Sequence, residues 1–184
     1  MSNVKKYVLT AVTLGLIAMA SGLLIGATNL ITAEKIEKNN QLKIEEGIYD
    51  VFNIDTKHDA AFYLDYGPVS GYNYIKHAYE VHCAAPGASK YGYAFLAEGS
   101  NMYGKLSVII GINGYFELSG VSIITNEQTY ASTLVENYVD PLNEGTREYI
   151  DVKCGATYGA TLIKDMIEEA KLANQDMYVY KSNA

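Results

Sequence analysis

A chain of 184 residues, 49% of them apolar, has room for one folded domain plus an accessory segment and enough apolar side chains for a core. Its formal net charge of −7, with no run of Lys and Arg, argues against a nucleic-acid partner. Two cysteines, Cys83 and Cys154, permit one disulfide without requiring it, and neither they nor His58, His77 and His82 fall at metal-ligand spacing, so no metal site is expected.

The amino terminus (1–6) is short and ends in Lys5-Lys6. Residues 7–33 then contain no charged side chain, which is ample for a helix that crosses the hydrocarbon core in about 20 residues. Ala18-Met19-Ala20 could serve as a signal-peptidase site, but the apolar run continues from Leu23 to Ile31 and reads as an uncleaved transmembrane anchor. Lys5 and Lys6 predict a cytoplasmic amino terminus, with the rest of the chain on the extracytoplasmic side of the cell membrane. Gly22-Leu-Leu-Ile-Gly26 would let another membrane helix approach closely.

Residues 34–74 read as a helical linker and entry to a domain, the helix running over 32–52 with Ile36, Leu42, Ile44, Ile48 and Val51 among charges. The stretch 53–74 is mixed, marked only by a Gly67-Pro68 turn, and receives no assignment. From 75 to 184 the pattern is that of a second region, rich in strands. Candidate strands occupy 78–83, 91–97 and 105–112, with another starting at Val121. The connections are a turn over 84–89 and an Asn113-Gly114 turn, and His77 and His82 fall on opposite faces of their strand. Seventeen tyrosines suit such strands and indicate no function by their number. Antiparallel strands followed by a helix predict an α+β fold: a single N-terminal transmembrane helix followed by an antiparallel sheet with packed helices.

The last helix is announced by small residues at Gly155, Ala156, Gly159 and Ala160, then by Ile163, Met166, Ile167 and Ala170 on one face. Such a helix start offers outward-pointing N–H groups to an anion. Thr157 at that point can equally be read as a plain helix cap.

The stretch Asp151-Val-Lys-Cys154-Gly155-Ala156-Thr157 resembles the flavinylation motif Asp-x-x-(Ser/Thr)-Gly-Ala-Thr of the FMN-binding domain family, with Cys154 standing where the family has Ser or Thr. Gly92-Tyr-Ala-Phe95, Tyr103-Gly-Lys-Leu106, Val108-Ile-Ile-Gly-Ile112 and Gly120-Val-Ser-Ile-Ile124 follow the family's order, so the likeness runs over 91–170. It is closest to the G subunits of Rnf-type electron-transport complexes, which are related to the C subunit of the sodium-pumping NADH:quinone reductase. The resemblance implies a membrane-anchored electron carrier. Its FMN would be joined through a phosphoester to Thr157, next to Cys154, Gly155 and Ala156, by a flavin transferase that recognises Asp151. The family's Glu-Thr-Pro-Gly-Leu-Gly loop, which lies beside the flavin, here reads Glu127-Gln128-Thr129-Tyr130, so Glu127 and Thr129 are expected near the cofactor.

As an Rnf-type G subunit the chain would relay electrons between ferredoxin and NAD, coupled to ion translocation, among other membrane subunits. No Ser–His–Asp or Cys–His set has a convincing context, so no catalytic residue is assigned and the chain reads as a carrier, not an enzyme with its own substrate. Two alternatives stay open: a stand-alone flavoprotein for extracellular electron transfer, and a flavin-free anchored binding domain.

Overall fold

The structure, a computed structural model, describes residues 3–55, 61–83, 90–145 and 156–182. The chain resolves into two compact units, 1–42 and 43–184.

Helix α1 (Asn3–Asp50) is one uninterrupted helix of 48 residues. At about 1.5 Å per residue it is roughly 70 Å long, about twice what a bilayer core requires. In its first unit Val4, Leu16, Leu23, Leu24 and Ile31 are all more than half exposed, and no part of its apolar window is covered by protein. The hydroxyls in this stretch bond back to the helix itself: Thr10 Oγ1 donates to Lys6 O (2.9 Å), Ser21 Oγ to Ile17 O (2.9 Å) and Thr28 Oγ1 to Leu24 O (2.8 Å). Polar groups satisfied within one segment suit a medium that offers no hydrogen bonds. This is the one helix among the described residues long and apolar enough to cross a membrane.

The second unit is an α+β fold around a five-stranded antiparallel sheet. Strands β1 (Ala61–Pro68), β2 (Ile75–Cys83), β3 (Lys90–Asn101), β4 (Gly104–Asn113) and β5 (Leu118–Asn126) lie in the order β1-β2-β3-β4-β5. Each strand pairs with its sequence neighbour, so short turns suffice. After β5 come α2 (Ala131–Leu134), a π-helical turn (Val135–Val139) and α3 (Asp140–Asn143), and later α4 (Thr157–Ser182).

The alternation of strand residues sorts two cores. On one face Ala78, Tyr93, Phe95, Val108, Ile110 and Ile112 meet Leu134, Tyr138 and Leu142, and Ile163, Met166, Ile167 and Ala170 of α4. On the other, Tyr79, Val81, Ala94 and Ile109 meet Ile48, Val51, Phe52 and Ile54, from the end of α1 and the turn after it. A slip of one residue in β3 or β4 would exchange the two sets, so the register is strongly specified. Each large apolar side chain removed from water here contributes about 1.5–3 kcal/mol. Gly111 and Gly120 are partners across β4 and β5, and a Cβ on either would lie under 3 Å from Val51, so both must stay bare for this turn to dock.

The strands expected over 78–83, 91–97 and 105–112 and after Gly120 are all present, each longer than its sequence signal. The Asn113-Gly114 turn is also found, while the one expected over 84–89 lies outside the described residues. His77 and His82 do face opposite sides: His77 meets Asp65 and lies on the ring of Tyr79, whereas His82 stacks on Phe62. β1 fills part of the unassigned stretch 53–74.

Two polar devices lock the helices onto the sheet. The Glu169 carboxylate on α4 accepts the N–H groups of Asn73 (2.5 Å), Tyr74 (2.6 Å) and Ile75 (3.3 Å), and Asp176 accepts the Tyr72 hydroxyl (2.5 Å). At the other edge the Asn143 amide pairs with Val121 N (2.8 Å) and O (2.9 Å), standing in for a sixth strand.

Candidate functional site

The site is built at the start of α4. The first helical hydrogen bond runs from Ala160 N–H to the Ala156 carbonyl (2.9 Å). Ala156 therefore holds the capping position and Thr157 the first helical one, so Thr157 is not the cap. Ala156 is buried and Thr157 exposed. Thr161, the other threonine here, donates its hydroxyl to Thr157 O (2.8 Å) and is engaged with the helix backbone. No acidic side chain lies in the first turn of α4, so nothing there opposes the partial positive charge of the helix end.

The loop after β5 packs against this helix start. It continues the pairing of β4 and β5 past their ends: Glu127 N–H donates to Lys105 O (2.9 Å) and Thr129 N–H to Tyr103 O (3.0 Å). The amide of Gln128, buried at 8% exposure, donates to Gly104 O, while its own N–H bonds to Asn126 Oδ1 (3.1 Å). Gly104 has φ +134°, and a Cβ there would lie 2.1 Å from Glu127 O, so only glycine lets this loop lie flat on the β3–β4 turn. Gly159 has the matching role on α4: a Cβ would lie 2.8 Å from Leu134 Cδ2 and 3.5 Å from Gln128 Oε1.

Three tyrosines from three elements meet at this junction. The Tyr103 ring, on the β3–β4 turn, lies 5.4 Å from that of Tyr158 on α4 and 5.9 Å from that of Tyr130 after β5. With Gln128, Leu134, Ala156 and Gly159, Tyr103 and Tyr130 line a shallow depression beside the helix start.

Of the residues expected from sequence, Ala156 and Thr157 therefore lie at the helix start, against the loop that carries Glu127 and Thr129, both exposed. Thr129 also directs its hydroxyl at Tyr103 O (3.4 Å). Asp151, Cys154 and Gly155 fall outside the described residues, as does any pairing of Cys83 with Cys154. Sequence reasoning missed Gln128 and the three tyrosines as site residues. The available signals were a tyrosine directly after the motif threonine and another closing the loop that departs from the family pattern.

Residues 1–51 match the family model described as the RnfG N-terminal region, so this segment, which is α1 and the residues flanking it, is similar to that region. No curated protein matches the chain significantly.

Proposed function

We propose that this RnfG-like, membrane-anchored chain is an electron carrier whose FMN is esterified through its phosphate to Thr157. The observation that carries the reading is the position of Thr157: exposed, first in α4, inside the Gly-Ala-Thr motif, and bordered by a depression with aromatic walls. The residues present fit the group. The N–H groups of the first turn of α4 favour a phosphate, an interaction worth about 0.3–1 kcal/mol at an exposed site. The depression beside it has the Tyr103 and Tyr130 rings in its lining. When bound, FMN supplies one- and two-electron exchange. The protein supplies the tether, the orientation and the local field, and covalent attachment keeps the cofactor from diffusing away outside the cell.

In this reading Asp151 serves recognition by the flavin transferase, Cys154, Gly155 and Ala156 complete the attachment motif, and Glu127 and Thr129 border the flavin. Lys5 and Lys6 hold the amino terminus in the cytoplasm and the FMN domain lies on the other side. The partners are the other membrane subunits of an Rnf-type complex, in which electrons pass between ferredoxin and NAD and drive ion translocation. A Cβ at Gly22 or Gly26 would meet nothing within 4 Å, which leaves that face of α1 bare for a neighbouring helix.

The test is co-expression with a flavin transferase followed by a denaturing gel. The wild type should give a fluorescent flavin band, Thr157→Ala none, and Asp151→Ala a weakened one. A wild type with no band would leave the flavin-free binding domain in its place. A flavinylated chain that never co-purifies with multi-helix subunits would make it a stand-alone carrier.

A further inference from the structure

We propose that Tyr103, Tyr130 and Tyr158 form the seat of the flavin ring, an inference that rests on Thr157 being the tether. Tyr93 and Tyr138 are almost wholly buried in the core. Tyr66 and Tyr72 are anchored through their hydroxyls to Glu80 and Asp176. Tyr130 and Tyr158 are instead 46% and 56% exposed while each sets its ring against that of Tyr103. Large aromatic faces left open beside one another are apolar surface that a planar, aromatic ligand would cover.

Their placement argues for this ligand in particular. Tyr158 is the residue after the tether, and Tyr130 and Tyr103 belong to the two segments that border the helix start. These segments are fixed before any ligand arrives, by Thr129 N–H to Tyr103 O (3.0 Å), by Gln128 to Gly104 O, and by the close approach at Gly159. Attachment at Thr157 makes ring contact an intramolecular event, so even one or two weak aromatic stacks keep the ring seated. The electron-rich faces of three phenols favour the oxidised ring over its reduced, more electron-rich form, so the seat lowers the flavin potential relative to free FMN. A phenol within contact distance also quenches flavin fluorescence by donating an electron to the excited ring, which returns on decay. That quenching gives the seat an optical signature.

The experiment uses full-length flavinylated protein in detergent, its FMN content fixed by intact mass, with emission per flavin compared with free FMN. The wild type should be several-fold dimmer. Tyr158→Leu and Tyr130→Leu should each brighten it and raise the midpoint potential, and the double substitution should brighten it further. Tyr158→Phe should brighten the flavin while keeping the bound-state visible circular dichroism, because the ring is retained and the donor lost. Tyr115→Leu, at an 85% exposed tyrosine in the β4–β5 turn, should change nothing. All four tyrosines stand at the surface or edge of the fold, and unchanged melting temperatures would confirm intact variants. A loaded wild type as bright as free FMN, or quenching untouched by the double substitution, would overturn the seat and leave the tether standing. A wild type without flavin mass would overturn the tether and the seat together.

Discussion

Helix α4 turns Ile163, Met166, Ile167, Ala170 and Ala173 into the sheet, all completely buried, and presents charges outward, with Tyr158 uncovered at its very start. Helix α1 is uncharged over 7–33 and buries none of its apolar window, while its last turns, which belong to the second unit, bury Ile48 beside Val51, Phe52 and Ile54 of the turn that follows. Both helices are rich in apolar residues, and the distribution separates them. A stripe implies a protein partner, whereas an all-round apolar surface implies a solvent that is itself apolar. The exception on each helix is informative. On α4 it is an open aromatic, Tyr158, and on α1 a buried residue near its end, Ile48, in the core of the second unit.

The largest effect should come from cutting α1 at two points. A chain starting at Lys43 should leave the membrane fraction yet melt as the intact domain does. One starting after Ile54 should not fold, because the face formed by Tyr79, Val81, Ala94 and Ile109 loses its cover. Sedimentation and thermal melts would decide both, and an unfolded chain from Lys43 would break the comparison. Next, Ile163→Ala should cost about 2–5 kcal/mol of domain stability, as for buried aliphatic truncations generally. Leu16→Ala in the exposed part of α1 should leave domain melting unchanged in detergent.

Smaller and more local, Gly104→Ala places a side chain at φ +134° against Glu127 O and should cost about 1–3 kcal/mol. Its signature should be faster hydrogen exchange at the Glu127 and Thr129 amides, with the buried strands of the sheet unaffected. The smallest effect concerns pH. Burial, and then the hydrogen bond to Asp176, push the Tyr72 hydroxyl up from 10.0 to about 12. A raised folded-state pKa means that the contribution is complete below pH 10 and lost as pH rises through about 12. Wild type should therefore lose stability faster than Tyr72→Phe across that window, and parallel alkaline melting curves would remove Tyr72 as a link between α4 and the sheet.

How far the sequence reveals this structure differs along the chain for physical reasons. β3 and β4 are legible because interior strands carry long apolar runs bounded by turn residues such as Asn113-Gly114. β1 is not, because an edge strand half exposed on both faces blurs its alternation: Phe62, Leu64 and Tyr66 are all more than two-fifths exposed. The short segment 131–143 escapes because Tyr130 provides no capping bond and a π turn interrupts the helical period. At the site, Ala156 and Thr157 are read from one contiguous motif. The tyrosines come from three segments that only the folded sheet brings together, so no local pattern reveals them.

The proposed attachment of FMN to Thr157 is tested most directly by fragment mass mapping of protein co-expressed with a flavin transferase. An added mass of FMN minus water is expected on the peptide spanning the start of α4, localised to Thr157 and absent from Thr157→Ala. The same mass on Thr161 or Thr129, or no added mass in the wild type, would contradict it.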